Sequence, residues 1–336
     1  MSGKISLDLG GGGKAMRDFI AGRILPAFKN PLLSPLLDAS HLPEGIAFTT
    51  DSYVVDPPVF PGGDIGKLAV NGTVNDLVVS GADPRYLSLG LILEEGLEWS
   101  LLDRILKSIR TAAAGARVRI VTGDTKVVRR GQGDKIYINT SGIGGIIASP
   151  SPALIRPGDA VIVTGPVGDH SLAILIARGD YGFQSAIKSD CAPLNGLLPF
   201  WKRGVRWMRD ITRGGLATVL TELAGEIPYP ILLEEDEVPV SAPVRGASEI
   251  LGIDPLYLAC EGRAVLIVPE AGTEAILRRL RTLPLGRKAR IAGRVQTGIG
   301  RPGERIDRGA LLAHLSIRVS WYRGSVWGVA SPRPAA

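Results

Sequence analysis

The sequence predicts an α/β (α+β) fold in two domains, and three observations predict it. The chain has 336 residues, enough for two separate cores. From 40 to 148, strand-patterned stretches alternate with helix-patterned ones. Ser149-Pro150-Ser151-Pro152 then breaks the pattern, and a second alternation follows.

Taken in order, 46–55 reads as a strand carrying Asp51. The stretch 66–80 reads as a helix, with Leu68, Ala69, Val74, Leu77 and Val78 spaced for one buried face and Asp76 beside it. Gly81-Ala82-Asp83-Pro84 is expected to end that helix, because Pro84 cannot continue it. A strand over 86–93, a helix over 99–114 and a strand over 118–122 follow. The last of these runs into Gly123-Asp124-Thr125-Lys126, which places the motif at a strand's carboxyl end, where open α/β folds hold ligands. A strand over 135–147 closes the first unit.

In the second unit a strand over 160–164 precedes a helix over 169–178. Asp210-Ile211-Thr212-Arg213-Gly214-Gly215 leads into a helix over 216–224, with Asp210 or Thr212 as a simple cap or as the rim of an anion site. Strands near 255–259 and 263–268 flank Cys260-Glu261-Gly262. A carboxylate between apolar strands is costly unless it is functional or paired, and Arg263 is the candidate partner. Trp321, Tyr322 and Trp327 suggest a docked segment before a Pro/Ala-rich end. The division is therefore a glycine-rich arm and lid (1–40), a first domain (41–150), a second domain (151–314) and a tail (315–336).

Composition narrows the function classes. Apolar residues make up 45% and charged residues 21%, and 43 glycines with 24 prolines imply many tight turns rather than long helices. No apolar run reaches the roughly 18 residues a membrane helix needs. Met1-Ser2-Gly3-Lys4 has no apolar signal core behind it, and two cysteines are too few for a disulfide framework, so the cytoplasm is the expected compartment. The net charge is +6, but the basic residues are scattered without an aromatic ladder, which fits a solvated surface, an acidic protein partner or a nucleotide substrate rather than nucleic acid.

The chemistry concentrates in acidic residues set in neutral stretches: Thr49-Thr50-Asp51-Ser52, Asn75-Asp76-Leu77 and Gly123-Asp124-Thr125-Lys126. Carboxylates gathered without arginines repel one another, and a divalent cation removes that penalty. Mg²⁺ binds through one or two carboxylates plus phosphate oxygens, so a metal-bound nucleotide is the first hypothesis. Gly10-Gly11-Gly12-Gly13-Lys14 offers unhindered N–H groups and a cation for phosphates, or else is a plain amino-terminal arm. It is not a Walker A loop, since Asp8 and Ala15 stand where Gly and Ser/Thr are required. Gly298-Ile299-Gly300-Arg301-Pro302-Gly303 matches a dinucleotide fingerprint by letter only, because Pro302 and its flanks deny the strand-to-helix turn.

In this order the motifs resemble the HypE family of hydrogenase maturation proteins, within the superfamily of aminoimidazole ribonucleotide synthetase. The resemblance covers nearly the whole chain. It is densest at Asp51-Ser52, Gly62-Gly63-Asp64-Ile65-Gly66-Lys67, Val74-Asn75-Asp76-Leu77, Gly81-Ala82-Asp83-Pro84, Gly123-Asp124-Thr125-Lys126-Val127-Val128 and Asp210-Ile211-Thr212-Arg213-Gly214-Gly215-Leu216. It implies a two-domain fold whose amino-terminal mixed sheets pair into a dimeric barrel, with Mg-ATP in the cleft between domains. In that family's reaction a partner carbamoyltransferase (HypF-like) loads a carbamoyl group on a terminal cysteine. ATP then phosphorylates the carboxamide oxygen, loss of phosphate leaves a thiocyanate, and the cyanide passes to iron on a HypC–HypD-like scaffold. By resemblance Asp51, Asp76 and Asp124 hold the metal. Gly11, Gly12, Gly13, Lys14, Asn75, Thr125 and Asp210 contact the nucleotide, Lys126 orients the reacting groups, and Glu261 is the base.

One departure stands out. The family's tail closes with Pro-Arg-Ile-Cys, whereas Pro332-Arg333 is followed here by Pro334-Ala335-Ala336. Ala335 offers no thiol for self-modification, and Cys260, beside Glu261, is a candidate relocated acceptor. Three functions follow: a HypE-type enzyme with an altered acceptor, a non-catalytic paralogue that binds maturation partners, or another ATP-dependent activity of the superfamily such as a small-molecule kinase.

Overall fold

A computed structural model describes residues 4–10, 13–28, 30–33, 37–179, 185–298 and 315–318. The amino-terminal arm is helical: α1 (Gly13–Phe19), a π turn (Ile20–Ile24) and α2 (Leu25–Phe28). The first unit then runs β1 (Ser40–Leu42), β2 (Ile46–Tyr53), the small hairpin β3 (Val59–Phe60) and β4 (Gly63–Asp64), α3 (Ile65–Val79), β5 (Ala82–Glu94), α4 (Trp99–Ala116), β6 (Arg119–Val128) and β7 (Ile136–Ile146). Its sheet has the order β1-β2-β7-β5-β6, antiparallel except for the β5–β6 pair joined through α4.

Helix α3 starts where Asp64 accepts a hydrogen bond from the Lys67 N–H at 2.9 Å, a side-chain cap that removes one orphan donor. It packs against α4 at Gly66, where an added Cβ would stand 2.8 Å from the Ile105 carbonyl. Helix α3 ends at Val79, and the turn is made by Gly81 at φ +82° rather than by Pro84. Pro84 instead lies inside β5, paired with Gly144 of β7, at a point where β6 has not yet begun, so its missing N–H leaves no ladder bond unmade.

The Gly123-Asp124-Thr125-Lys126 motif is not at a strand's end. Strand β6 continues through it to Val128. Gly123 is not a terminator but a close approach, since a side chain there would run into the Leu89 carbonyl of β5.

The second unit comprises β8 (Ala160–Val163), α5 (Asp169–Ala177), α6 (Leu198–Trp201), β9 (Trp207–Asp210), α7 (Gly215–Ala224), β10 (Ile231–Glu234), α8 (Ala242–Leu251), β11 (Ala264–Val268), α9 (Thr273–Arg281), β12 (Arg290–Val295) and β13 (Leu315–Arg318). Its sheet order is β13-β10-β12-β8-β11-β9. The expected strand near 255–259 is instead a 3-10 turn over Pro255–Tyr257, capped by Asp254 accepting from the Leu256 N–H at 2.9 Å. Strands β9, β10 and β12 and helices α8 and α9 have no clear signature in the sequence.

One apolar core runs through both units, joining Val74, Leu87 and Ile105 of the first to Leu194, Phe200 and Leu266 of the second. Trp321, Tyr322, Trp327 and the stretch 332–336 lie outside the described residues.

Candidate functional site

The seam between the units opens into a cleft of about 940 Å³. Strand β2 sends Thr49, Asp51 and Tyr53 toward it, because alternate residues of a strand share a face and this face is covered by α3. Helix α3 adds Asp76, the end of β9 adds Asp210, and the loop before β11 adds Glu261.

The carboxylates act on one another. Burial is the main cause that raises the Asp76 pKa well above its ordinary value, and the charges of Asp51, Asp210 and Asp38 add to it. Asp51 is also raised by burial, against the opposing pull of the Tyr53 hydroxyl, which donates to its Oδ2 at 3.0 Å, and of Arg213. Asp210 is pushed up to about 8 by burial and then by Asp38, with Arg209 opposing. Burial likewise lifts Glu261 well above the carboxylate range, with Asp210, Asp190 and Asp51 reinforcing it. Arg263 does not relieve Glu261. Its ion pair goes to Asp190 at 3.6 Å.

A wall that binds protons this strongly is a wall short of cations. Among the described residues no three His, Cys, Asp or Glu side chains form a ready ligand set. The Asp51–Asp76 pair nonetheless suits Mg²⁺, which takes one or two carboxylates and leaves its other positions to water and phosphate oxygens. Thr49 hydroxyl, 3.0 Å from Asp76 Oδ2, and Tyr53 hydroxyl hold the two carboxyls in place.

Cations rim the same cleft. Arg209 bridges Asp38 (3.1 Å) and Glu222 (2.8 Å), and Glu222 also pairs with Arg17 of α1 at 3.0 Å. These pairs hold α1 against α7, so the arm lies along the cleft. Gly13 and Lys14 form the start of α1, and Gly11 and Gly12 lie outside the described residues. Farther along, His170 is held neutral, its pKa brought down to about 4 by burial, with Nδ1 2.8 Å from Ser189 Oγ. Asp38, Tyr53, Arg209 and His170 were not singled out from the sequence, and Thr49 only as a flank of Asp51. The only available signal was for Tyr53, which shares the face of Asp51 two residues on.

Several expected site residues stand elsewhere. Asn75 is buried, and its amide is used on backbone: Oδ1 accepts from the Leu194 N–H at 2.8 Å, and Nδ2 donates to the carbonyls of Ala192 (3.2 Å) and Glu261 (3.3 Å). It positions the Glu261 segment and does not line the cleft. Neither Asp210 nor Thr212 caps α7. Gly214, at φ +75°, occupies that position without a side-chain bond.

Asp124 and Lys126 do not join Asp51 at all within one chain. Ser52, Asn139, Gly90 and Asp124 lie in register across four neighbouring strands, so Asp124 shares the sheet face of Ser52, opposite to that of Asp51. Three strand spacings, roughly 14 Å, also separate it laterally from β2. Asp124 and Lys126 pair with each other at 3.1 Å and rim a second hollow of about 370 Å³ on the open face, which shares Ser52, Tyr53 and Val54 with the main cleft. Thr125 lies between them on β6.

Cys260 is fully buried beneath this site, its Sγ taken by the Gly168 N–H at 3.3 Å and its thiol pKa raised well above normal by burial. Cys191 is buried too, its thiol pushed up to about 12. Both thiols are enclosed and hard to ionise, which weighs against Cys260 as a relocated acceptor.

Two linked α/β units with an acidic cleft at their seam define a member of the AIR synthase related class. Residues 38–146 match the N-terminal domain of AIR synthase related protein, and 156–300 match its C-terminal domain. Carbamoyl dehydratase HypE of Rhodobacter capsulatus is 49% identical over 301 residues, covering 87% of this chain and 88% of that protein. The Escherichia coli (strain K12) protein of that name is 44% identical, covering 87% and 90%. Among solved structures, HypE in a HypE–HypF complex superposes with a TM-score of 0.80 at 42% identity (83% of this chain, 93% of that one). HypE in complex with ATP gives 0.73 at 48% identity (88% and 90%). Thiamine monophosphate kinase of Aquifex aeolicus, at 17% identity and a TM-score of 0.65, shares the fold alone. The chain belongs to the HypE family of carbamoyl dehydratases.

Proposed function

We propose that this chain is an ATP-dependent carbamoyl dehydratase acting in cyanide-ligand synthesis for nickel–iron hydrogenase maturation. One observation carries the reading: a strongly basic carboxyl, Glu261, lines the same cleft as the Asp51–Asp76–Asp210 wall in a chain 44–49% identical to carbamoyl dehydratases.

The substrate carboxamide oxygen attacks the γ-phosphorus of ATP. An O–P bond forms, the bond to the bridging oxygen breaks, and ADP leaves. Glu261 then takes a proton from the amide nitrogen while the second N–H proton passes to solvent. The C–O bond breaks, phosphate leaves, and S–C≡N remains. A carboxyl raised out of the ordinary range toward the working pH is suited to this role, because a general base is most effective when its pKa lies near that pH. When bound, Mg²⁺ on Asp51 and Asp76 neutralises the phosphate charge. Arg213 and Arg17 extend that positive field along the cleft. The arm at Gly11, Gly12, Gly13 and Lys14 is assigned to the phosphates by family resemblance.

Asp124, Thr125 and Lys126 are assigned to the cleft of a second copy. The sheet face of Asp124 and Lys126 exposes Phe48, Tyr86, Ile92 and Ile143, each about two-fifths accessible, and such a face favours burial against its like. Cys191 and Cys260 are both buried, so neither is the thiol that carries the carbamoyl group. A HypF-type carbamoyltransferase is the expected donor, and a HypC–HypD-type scaffold the recipient of cyanide.

The test is direct. The protein is incubated with Mg-ATP and a peptide carbamoylated on cysteine, and the peptide is read by mass. Loss of one water, with one ADP per product, is expected, and Glu261→Gln lowers the rate at least about a hundredfold. An unmodified peptide with the wild-type protein contradicts the assignment.

A further inference from the structure

Away from the cleft, a hollow of about 370 Å³ is walled by the root of β5, the end of α4, the start of β6 and the turn before α6. Arg85, Arg117 and Arg119 converge on it, with Asp83 as its only carboxylate. Among the described residues none of these three arginines makes an ion pair or a side-chain hydrogen bond, and Asp83 pairs with none of them. Arg85 lies across the backbone of Gly145, where an added Cβ would stand 3.0 Å from its guanidinium.

Arg117 is held at φ +57°, a left-handed position that glycine would fill without strain. On the opposite wall Asn195 donates to the Ala116 carbonyl at 3.1 Å, yet its Oδ1 is buried without a partner. Pro84, Tyr86 and Leu198 complete the lining with apolar and aromatic surface.

We propose that this hollow is a second, non-catalytic binding site for a phosphate-bearing small molecule of nucleotide size. Three guanidinium groups from separate elements match an anion with several oxygens, because each presents a planar fork of donors. The volume lies in the range of small-molecule pockets and is too large for a lone ion. The orphaned Asn195 Oδ1 suits an exocyclic amine. Arg85, Arg117 and Arg119 belong to the first unit and Asn195 and Leu198 to the second, so the ligand ties the two together. This site does not depend on the activity proposed for the cleft.

The probe is AMP, titrated calorimetrically into the full chain in EDTA, where the acidic cleft lacks the cation that would draw phosphate to it. One AMP per chain is expected, with affinity falling as ionic strength rises. The double variant Arg85→Ala/Arg119→Ala binds at least about tenfold more weakly. Arg117→Gly, which relaxes the left-handed turn and so keeps the fold, also weakens AMP, whereas Asp51→Asn leaves it unchanged. Absence of AMP binding, or AMP affinity equal in wild type and both arginine variants, overturns the proposal. So does binding of a hexaglutamate peptide that AMP does not displace, which marks a protein-docking surface instead.

Discussion

Asp210 shows how far the cleft has been tuned away from ordinary carboxylates. Its folded pKa of about 8 lies above the ordinary value of 3.8, so the folded chain keeps a proton that the unfolded chain gives up. That contribution to stability is complete below the unfolded value and is lost as pH rises toward 8. The metal-free protein is therefore expected to melt at a lower temperature at pH 8.5 than at pH 6. Asp210→Asn removes much of that difference, and added Mg²⁺ stabilises the wild type more at pH 8.5, because cation binding requires the carboxylates to be deprotonated. Scanning calorimetry at the two pH values checks it, and a wild-type melting point that rises with pH in EDTA contradicts it. At this scale the sequence was informative where a charged residue stood in a neutral stretch, as with Asp51, Asp76 and Glu261. It was silent on Asp38 and Arg209, whose partners are distant in the chain, and on the backbone bonds of Asn75, because an amide that binds backbone is spelled like one that binds a ligand.

At the scale of elements, helix α3 is the part on which the site rests. It carries Asp76, packs beneath Asp51 and is seated on α4 through Gly66. A side chain at that position meets both the Ile105 carbonyl and Ile109 Cγ1 at 2.8 Å, and the helices must separate. Gly66→Ala is expected to destabilise by about 1–3 kcal/mol, the usual cost of overpacking. Gly115→Ala, on α4 with nothing within 4 Å, is expected to stabilise by up to about 1 kcal/mol through helix propensity. Urea unfolding of both variants separates the packing effect from propensity, and equal shifts of the same sign would sink the explanation. Helix α3 was legible because its apolar spacing is regular. Strand β6 was cut short in the reading because Gly123 looks like an ending, and only the close approach of β5 explains it. The segment 255–259 read as a strand because it is apolar, but Asp254 and Pro255 turn it instead.

At the scale of the whole molecule, the two-unit plan and the position of the cleft were legible in the order of the motifs. The division of the site was not. Linear spacing suggests that Asp51, Asp76 and Asp124 converge, and only strand order and register reveal that Asp124 faces the other side of the sheet. In the function proposed above, the cleft borrows Asp124 and Lys126 from a second copy across the apolar sheet face. The most direct measurement is complementation, in which Asp51→Asn and Asp124→Asn chains, each expected to be inactive alone, are refolded together in equal amounts. Half of the resulting dimers carry one intact site, so activity should recover to about a quarter of the wild-type rate. A mixture as inactive as its parents contradicts a shared site.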